Sequence, residues 1–378
     1  MKRDYYLSFI VIFQMVAVVF QLLLPFFHII STEQSATLRI AITLLTFLPG
    51  ILILAKKRLK LLTITFFIYG MFLLFNYLLY PASHAFIDSK AAFTLTPISI
   101  LSVLFIYIIN NWNVFLKVLL LVSRIIPILG ILFVWAIRYT TLVEGITYSM
   151  SFGYAILLSS LFLFNQEKTS DKVLAILLLL MIIILGSRGP VVVLLIYIIY
   201  TVLFSFKRKK VWQIPIALAL VAGSILWTPK NSEVIEKSRT ILLLESGEFI
   251  SHDSGRDIIQ KIIQQKILQK PLYGWGMGSD REFVDGYAHN IFLEIFVHYG
   301  LVVGGFLFLL FFKFVINLYT NQKLLDLQGG KDFFVAMFLF GFVPMIVSGS
   351  YLMNYNFAMF LGYLFRFVRI KKSIELKF

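Results

Sequence analysis

Residues 173–210 read VLAILLLLMIIILGSRGPVVVLLIYIIYTVLFSFKRKK: an apolar run, a Gly186-Ser187-Arg188-Gly189-Pro190 break, a second apolar run and four consecutive cations. Taken as one helix, 173–206 would be ~51 Å long at 1.5 Å per residue, far more than a ~30 Å bilayer core accepts. Pro190 and the flanking glycines end one helix and start another, so the chain crosses and returns. Lys172 and the Lys207–Lys210 run then share one side, and Arg188 faces the other. The fold class that follows is all-α, a polytopic membrane protein.

Composition extends this reading to the whole chain. Of 378 residues, 60% are hydrophobic and 14% charged, against ~45–50% and ~25% in soluble domains. A soluble fold would have to leave apolar surface in water, which a bilayer accepts without penalty. Twelve apolar stretches are long enough to serve as spans: 7–28, 36–55, 61–80, 93–110, 115–137, 145–164, 173–186, 190–206, 211–227, 289–312, 332–350 and 351–368. Basic clusters at Lys2/Arg3, Lys56–Lys60, Lys168/Lys172, Lys207–Lys210, Lys323/Lys331 and Arg366–Lys372 all fall on one side by parity. That side is cytoplasmic, with both termini inside. The net charge of +15 is therefore explained by cytoplasmic loops and calls for no nucleic-acid partner. The first apolar stretch is span-length and is followed by no small-residue cleavage site, so it reads as a span rather than a cleavable signal. With no cysteine there is no disulfide or zinc-thiolate site.

Three regions result: 1–228 with nine spans, an external loop at 229–288, and 289–378 with three spans and a cytoplasmic end. The stretch Thr228–Ala288 carries eight basic and nine acidic side chains. Within it, Ile258, Ile259, Ile262, Ile263 and Ile267 recur at helical spacing, predicting an amphipathic helix over Gly255–Lys270 that Pro271 ends. Such a helix either lies on the membrane or caps the bundle.

The motif search excludes before it selects. No Asp-x-Asp, His-Glu-x-x-His or Walker-type glycine loop is present, which argues against metal-dependent and ATP-driven chemistry. Gly274, Gly276 and Gly278 read as a tight turn, because no strand precedes them. Arg188 lies on the cation-poor side beside a span and is a candidate site residue, although a snorkelling arginine explains it equally well. Arg256 begins the amphipathic helix and, taken alone, is an ordinary solvated charge. His289 and Asn290 open the tenth span, where an imidazole exchanges protons near neutral pH or simply caps a helix. Glu294 and His298 follow at four-residue steps and share a face pointing into the bundle. His298 reads as structural.

The ordered set Ser187-Arg188-Gly189, Ser254-Gly255-Arg256, Pro271-Leu272-Tyr273-Gly274-Trp275-Gly276-Met277-Gly278 and His289-Asn290 with Leu293-Glu294 and Gly300 resembles the O-antigen polymerase and O-antigen ligase superfamily. The resemblance covers about residues 170–305; the N-terminal half matches in topology only. It implies a helical membrane glycosyltransferase of the bacterial cytoplasmic (inner) membrane acting on undecaprenyl diphosphate-linked glycans, without cofactor or metal. Arg188 and Arg256 would hold the diphosphate, in the role a metal takes elsewhere. His289 would be the general base, and Asn290 and Glu294 would help to bind and orient the substrates.

On that basis the chain is expected to be a polysaccharide polymerase of O-antigen or capsule type, extending a lipid-linked repeat at the outer face. The alternative is a ligase passing the glycan to another envelope acceptor, and the more distant one a flippase or transporter. A transporter places its charges at the membrane midplane, whereas these candidates cluster at one face. Membrane lipid, a chain-length regulator and a flippase are the expected partners.

Overall fold

The computed structural model describes residues 2–26, 29–139, 150–184, 188–204 and 256–375, which are helical with no strand among them. Six of the described helices are long and apolar enough to cross a membrane: Lys2–Pro25, Thr37–Leu79, Lys90–Ile108, Trp112–Phe133, Ile291–Thr320 and Gly330–Val347. Two shorter apolar helices join them, Phe152–Phe164 and Gly189–Thr201. The protein is a multi-pass membrane protein. The stretch 211–227, the Lys207–Lys210 cluster and 229–255, the first part of the loop expected on the outer side, lie outside the described residues.

Thr32–Leu79 forms one helical run where the sequence predicts two spans, 36–55 and 61–80. It leaves helical geometry at Arg58, with φ −146° and ψ 38°, inside the Lys56–Lys60 basic cluster. The break thus falls where the charges demand it.

The chain divides into two compact units. The first takes residues 1–47, 111–252 and 332–340. In it Lys2–Phe26 packs along Trp112–Tyr139, and Met150–Phe164 packs against both and against Thr169–Ile184. Polar groups inside these apolar helices find one another, as they must away from water. Thr43 Oγ1 donates to Gln14 Oε1 (2.7 Å), while Gln14 Nε2 donates to Thr46 Oγ1 (2.9 Å). Arg124 makes a two-pronged pair with Asp171 at 2.7 and 2.8 Å.

The second unit takes residues 48–110, 253–331 and 341–378. Tyr355–Glu375 packs against Leu95–Ile108. The buried Arg366 closes that contact: its Nε donates to Ile109 O and one Nη to Asn110 O, each at 2.8 Å. These carbonyls end the helix Leu95–Ile108 and lack a helical partner, so a guanidinium both satisfies them and suits the negative end of the dipole. The predicted amphipathic helix is Arg256–Gln269. It caps the bundle: Ile263 and Ile267 are buried with Val284, Ala288 and Val297 against Ile291–Thr320.

Helix Ile291–Thr320 is interrupted at Gly300, where φ is 76° and ψ 170°. The turn after Pro271 fills the interruption. Trp275 N donates to Val297 O (2.8 Å), Gly276 N to His298 O (3.0 Å), and Leu301 N turns to Pro271 O (2.6 Å). Backbone groups freed by the break are therefore paired by the loop, which is how a broken helix is tolerated at membrane depth. Glycine is needed for the approach. A Cβ on Gly300 would lie 2.4 Å from the Leu272 carbonyl group, and one on Gly274 2.5 Å from that of His298.

Gly300→Ala is accordingly expected to destabilise the protein by at least ~1–3 kcal/mol, the cost of a backbone region open essentially to glycine alone, with the backbone clash added. Gly305→Ala, in the same helix but with nothing within 4 Å of the added carbon, should be neutral or slightly stabilising. Thermal unfolding of the two variants in detergent checks this, and equal midpoints would contradict the docking geometry.

Candidate functional site

The site is built where Arg256–Gln269, the 280–290 loop and the end of Gly330–Val347 meet within the second unit. That last helix ends with Val347 and Ser348 carbonyls turned toward the loop. Arg256 Nη1 donates to Val347 O at 2.7 Å, and the Tyr287 hydroxyl donates to Ser348 O at 2.8 Å. The Tyr287 ring lies 4.2 Å from the His289 ring, tilted by 41°.

His289 has φ 55°, the sole positive φ of a non-glycine among the described residues. The left-handed region is uncommon for histidine and costs energy that the surroundings must supply. Its Nδ1 is buried and makes no hydrogen bond among the described residues. Burial holds the imidazole below its ordinary pKa of 6.5, and Arg256 adds to this, while the Ser348 backbone and Asp280 act the other way. His289 is therefore neutral at pH 7. Asn290 follows as the N-cap of Ile291–Thr320, its side-chain oxygen accepting from Phe292 N (2.9 Å) and Leu293 N (3.3 Å).

Beneath His289 lies a buried charged cluster. Asp280, Glu294 and His298 are each 0% exposed, and one ligand atom from each lies within 4.8 Å of the others. That donor set is of a kind that holds a metal ion, yet a guanidinium already sits among the carboxylates. Arg281 Nη1 is 2.5 Å from Asp280 Oδ1 and 3.2 Å from Glu294 Oε1, and Nη2 donates to Ser350 Oγ at 2.7 Å. Glu294 also accepts from Ser350 Oγ and from Tyr351 N (3.1 Å).

His298 Nε2 is 2.9 Å from Asp280 Oδ1, and its Nδ1 is 2.9 Å from the Tyr351 hydroxyl. An ionised carboxylate only accepts, so Nε2 carries a proton toward Asp280, while Nδ1 pairs with the Tyr351 hydroxyl. The Gly278 amide, 3.1 Å from the same Nε2, cannot donate to a nitrogen so engaged, and the charged acceptor takes precedence. Burial acts to raise the Asp280 carboxyl, but His298, Arg281 and the Ala288 amide outweigh it and hold it near 2. Arg281 stays protonated: burial lowers it, and the two carboxylates more than restore it.

Of the candidates read from sequence, the structure brings Arg256 and His289 to one helix terminus and sets Asn290 directly after them. Glu294 lies fully buried below, engaged by Arg281, Ser350 and Tyr351 rather than open to solvent. Arg188 begins the helix Arg188–Phe204; its side chain lies outside the described residues, as do Ser187, Ser254 and Gly255. Asp280, Arg281, Tyr287 and Ser350 escape a sequence reading. Their one signal is an Asp-Arg pair that starts two residues after the third glycine of the turn and ends eight residues before His289.

A family model described as O-antigen ligase matches residues 173–310. The match covers just over a third of the chain and takes in Arg188, the described loop and the first two-thirds of Ile291–Thr320. No curated protein and no solved structure shows a match.

Replacing Arg281 by Met would leave Asp280 and Glu294 facing each other without their shared cation. Removal of one partner from a buried charge cluster costs about 3–5 kcal/mol. Arg281→Met should therefore fall in thermal stability and yield, while Glu282→Gln, at the exposed neighbouring position, should not. Equal melting midpoints would show that the cluster is not a stabilising unit.

Proposed function

We propose that this membrane enzyme, whose residues 173–310 match a family model described as O-antigen ligase, is a polysaccharide polymerase. It transfers a growing glycan from undecaprenyl diphosphate to a lipid-linked repeat unit, at the outer face of the bacterial cytoplasmic membrane. The observation that carries the reading is the pairing of Arg256 with a neutral, strained His289 at the carbonyl end of one helix. The donor already contains an activated leaving group, so the protein has to supply positive charge, a base and position.

In this scheme the acceptor hydroxyl oxygen bonds to the anomeric carbon as the bond from that carbon to the diphosphate oxygen breaks. The electron pair leaves with undecaprenyl diphosphate, and the hydroxyl proton passes to the His289 imidazole. Attack opposite the leaving group inverts the anomer. Arg256, with Arg188 as the expected second cation, holds the diphosphate as its charge grows. A guanidinium supplies positive charge of its own, so in this scheme no metal is required. Asn290 fixes the start of the helix behind His289, and Glu294 orients the site from below through Arg281. The ligase alternative uses the same donor half and differs in acceptor.

Purified protein given a defined undecaprenyl diphosphate glycan tests this, with and without EDTA and with each acceptor in turn. Elongation of the lipid-linked repeat, undiminished by EDTA, is expected; transfer to a different acceptor alone would make the enzyme a ligase. His289→Ala should lower turnover by ~10²–10⁴-fold with donor binding retained, whereas Arg256→Ala or Arg256→Lys should weaken donor binding. A base must be deprotonated, so activity should fall on the acid side. With the His289 pKa lowered in the free protein, that limb should lie below pH 6.5 in kcat/KM and vanish from the residual activity of His289→Ala. Parallel loss of donor binding in His289→Ala, with an unchanged pH profile, would instead make His289 a diphosphate ligand.

A further inference from the structure

The proposed reaction leaves unexplained what keeps His289 in a conformation that histidine seldom adopts. Its φ of 55° has to be imposed from outside the residue, and the flanking peptides are the means. On the C-terminal side the Asn290 cap fixes the chain. On the N-terminal side one bond does so: Ala288 N donates to Asp280 Oδ2 at 2.9 Å, both residues being 0% exposed. The Tyr287 hydroxyl on Ser348 O and its ring against the imidazole restrain the side.

Asp280 is itself held. Its other oxygen takes His298 Nε2 at 2.9 Å and Arg281 Nη1 at 2.5 Å, so the carboxylate is fixed where it meets the Ala288 amide. We propose that Asp280 is a positioning residue for His289: anchored by His298 and Arg281, it grips the Ala288 amide and locks the following residue in the left-handed backbone that aims the imidazole. This deepens the proposed function, on which it rests. Asp280 touches no reacting atom in this account. A base displaced by ~1 Å loses on the order of 10²-fold in rate while leaving donor contacts in place, which separates positioning from general support of the fold.

The experiment removes the grip in two ways. Asp280→Asn disturbs the carboxylate, but it also disturbs Arg281 and His298 and so endangers folding. The second variant replaces the Ala288 N–H by an ester oxygen, through incorporation of the corresponding hydroxy acid, which deletes the one donor and leaves every side chain intact. Turnover and binding of an undecaprenyl diphosphate glycan are measured at equal thermal stability. The rate of His289 carbethoxylation by diethyl pyrocarbonate, read by peptide mass spectrometry, is measured alongside. The ester variant should lose about 10–10²-fold in kcat, bind donor within twofold of the parent, and modify His289 faster. Wild-type kcat with an unchanged modification rate would overturn the proposal, as would donor binding lost in step with kcat. If the unaltered protein transfers no glycan, the functional reading fails. Faster modification in the ester variant would still establish the positioning of His289 by Asp280, and an unchanged rate would refute it.

Discussion

Arg281 brings one positive charge into a space bounded by two carboxylates, and the second unit is arranged around that contact. Its three polar partners come from separate stretches: Asp280 from the loop, Glu294 from the helix Ile291–Thr320, Ser350 from the segment after Val347. Two buried carboxylates this close cannot both remain ionised without a cation, and water is excluded from the task. A guanidinium suits the place because it cannot shed its proton and presents several donors in one plane. Loop, helix and segment are thereby fixed to each other by a single side chain.

The second constraint comes from the backbone. A helix interrupted at Gly300 exposes carbonyls that lipid cannot satisfy, and the turn Pro271–Gly278 exists in its glycine-rich form because only glycine lets it come close enough to pair with them. That docking also sets the register of the loop. Asn76 Oδ1 accepts from Met277 N at 2.8 Å, and Gly278 comes to rest beside His298, two residues before Asp280. From there the contacts pass through Asp280 to Ala288 and so to His289. A break deep in a helix is thus linked to the conformation of one residue at its lip.

The parts of this arrangement that depend on short-range periodicity are legible in the sequence. The amphipathic stretch beginning at Arg256 and its end at Pro271 follow from spacing and a proline. The position of the break at Arg58 follows from the basic cluster around it. What escapes is pairing across distance. Arg124 and Arg366 have the composition of membrane-edge cations, yet each is consumed by a partner or carbonyl far along the chain. Asp280 and Arg281 look like ordinary charges of a polar loop, because the carboxylate and serine that complete them lie 13 and 69 positions beyond Arg281.

The electrostatics of the proposed base follow from which group reaches the helix end first. The last carbonyls of Gly330–Val347 offer negative potential that would ordinarily favour a protonated imidazole nearby. Arg256 takes Val347 O, and its positive charge then opposes protonation of His289 at rest, as burial does. The same surroundings change meaning once substrate arrives. A bound diphosphate carries negative charge to Arg256 and offsets its effect on the imidazole, while the Ser348 backbone and Asp280, which act to raise the His289 pKa, remain in place. In the proposed reaction the imidazole is therefore a poor proton acceptor before the donor binds and a better one afterwards. Such an order would restrain the base until there is a leaving group to displace.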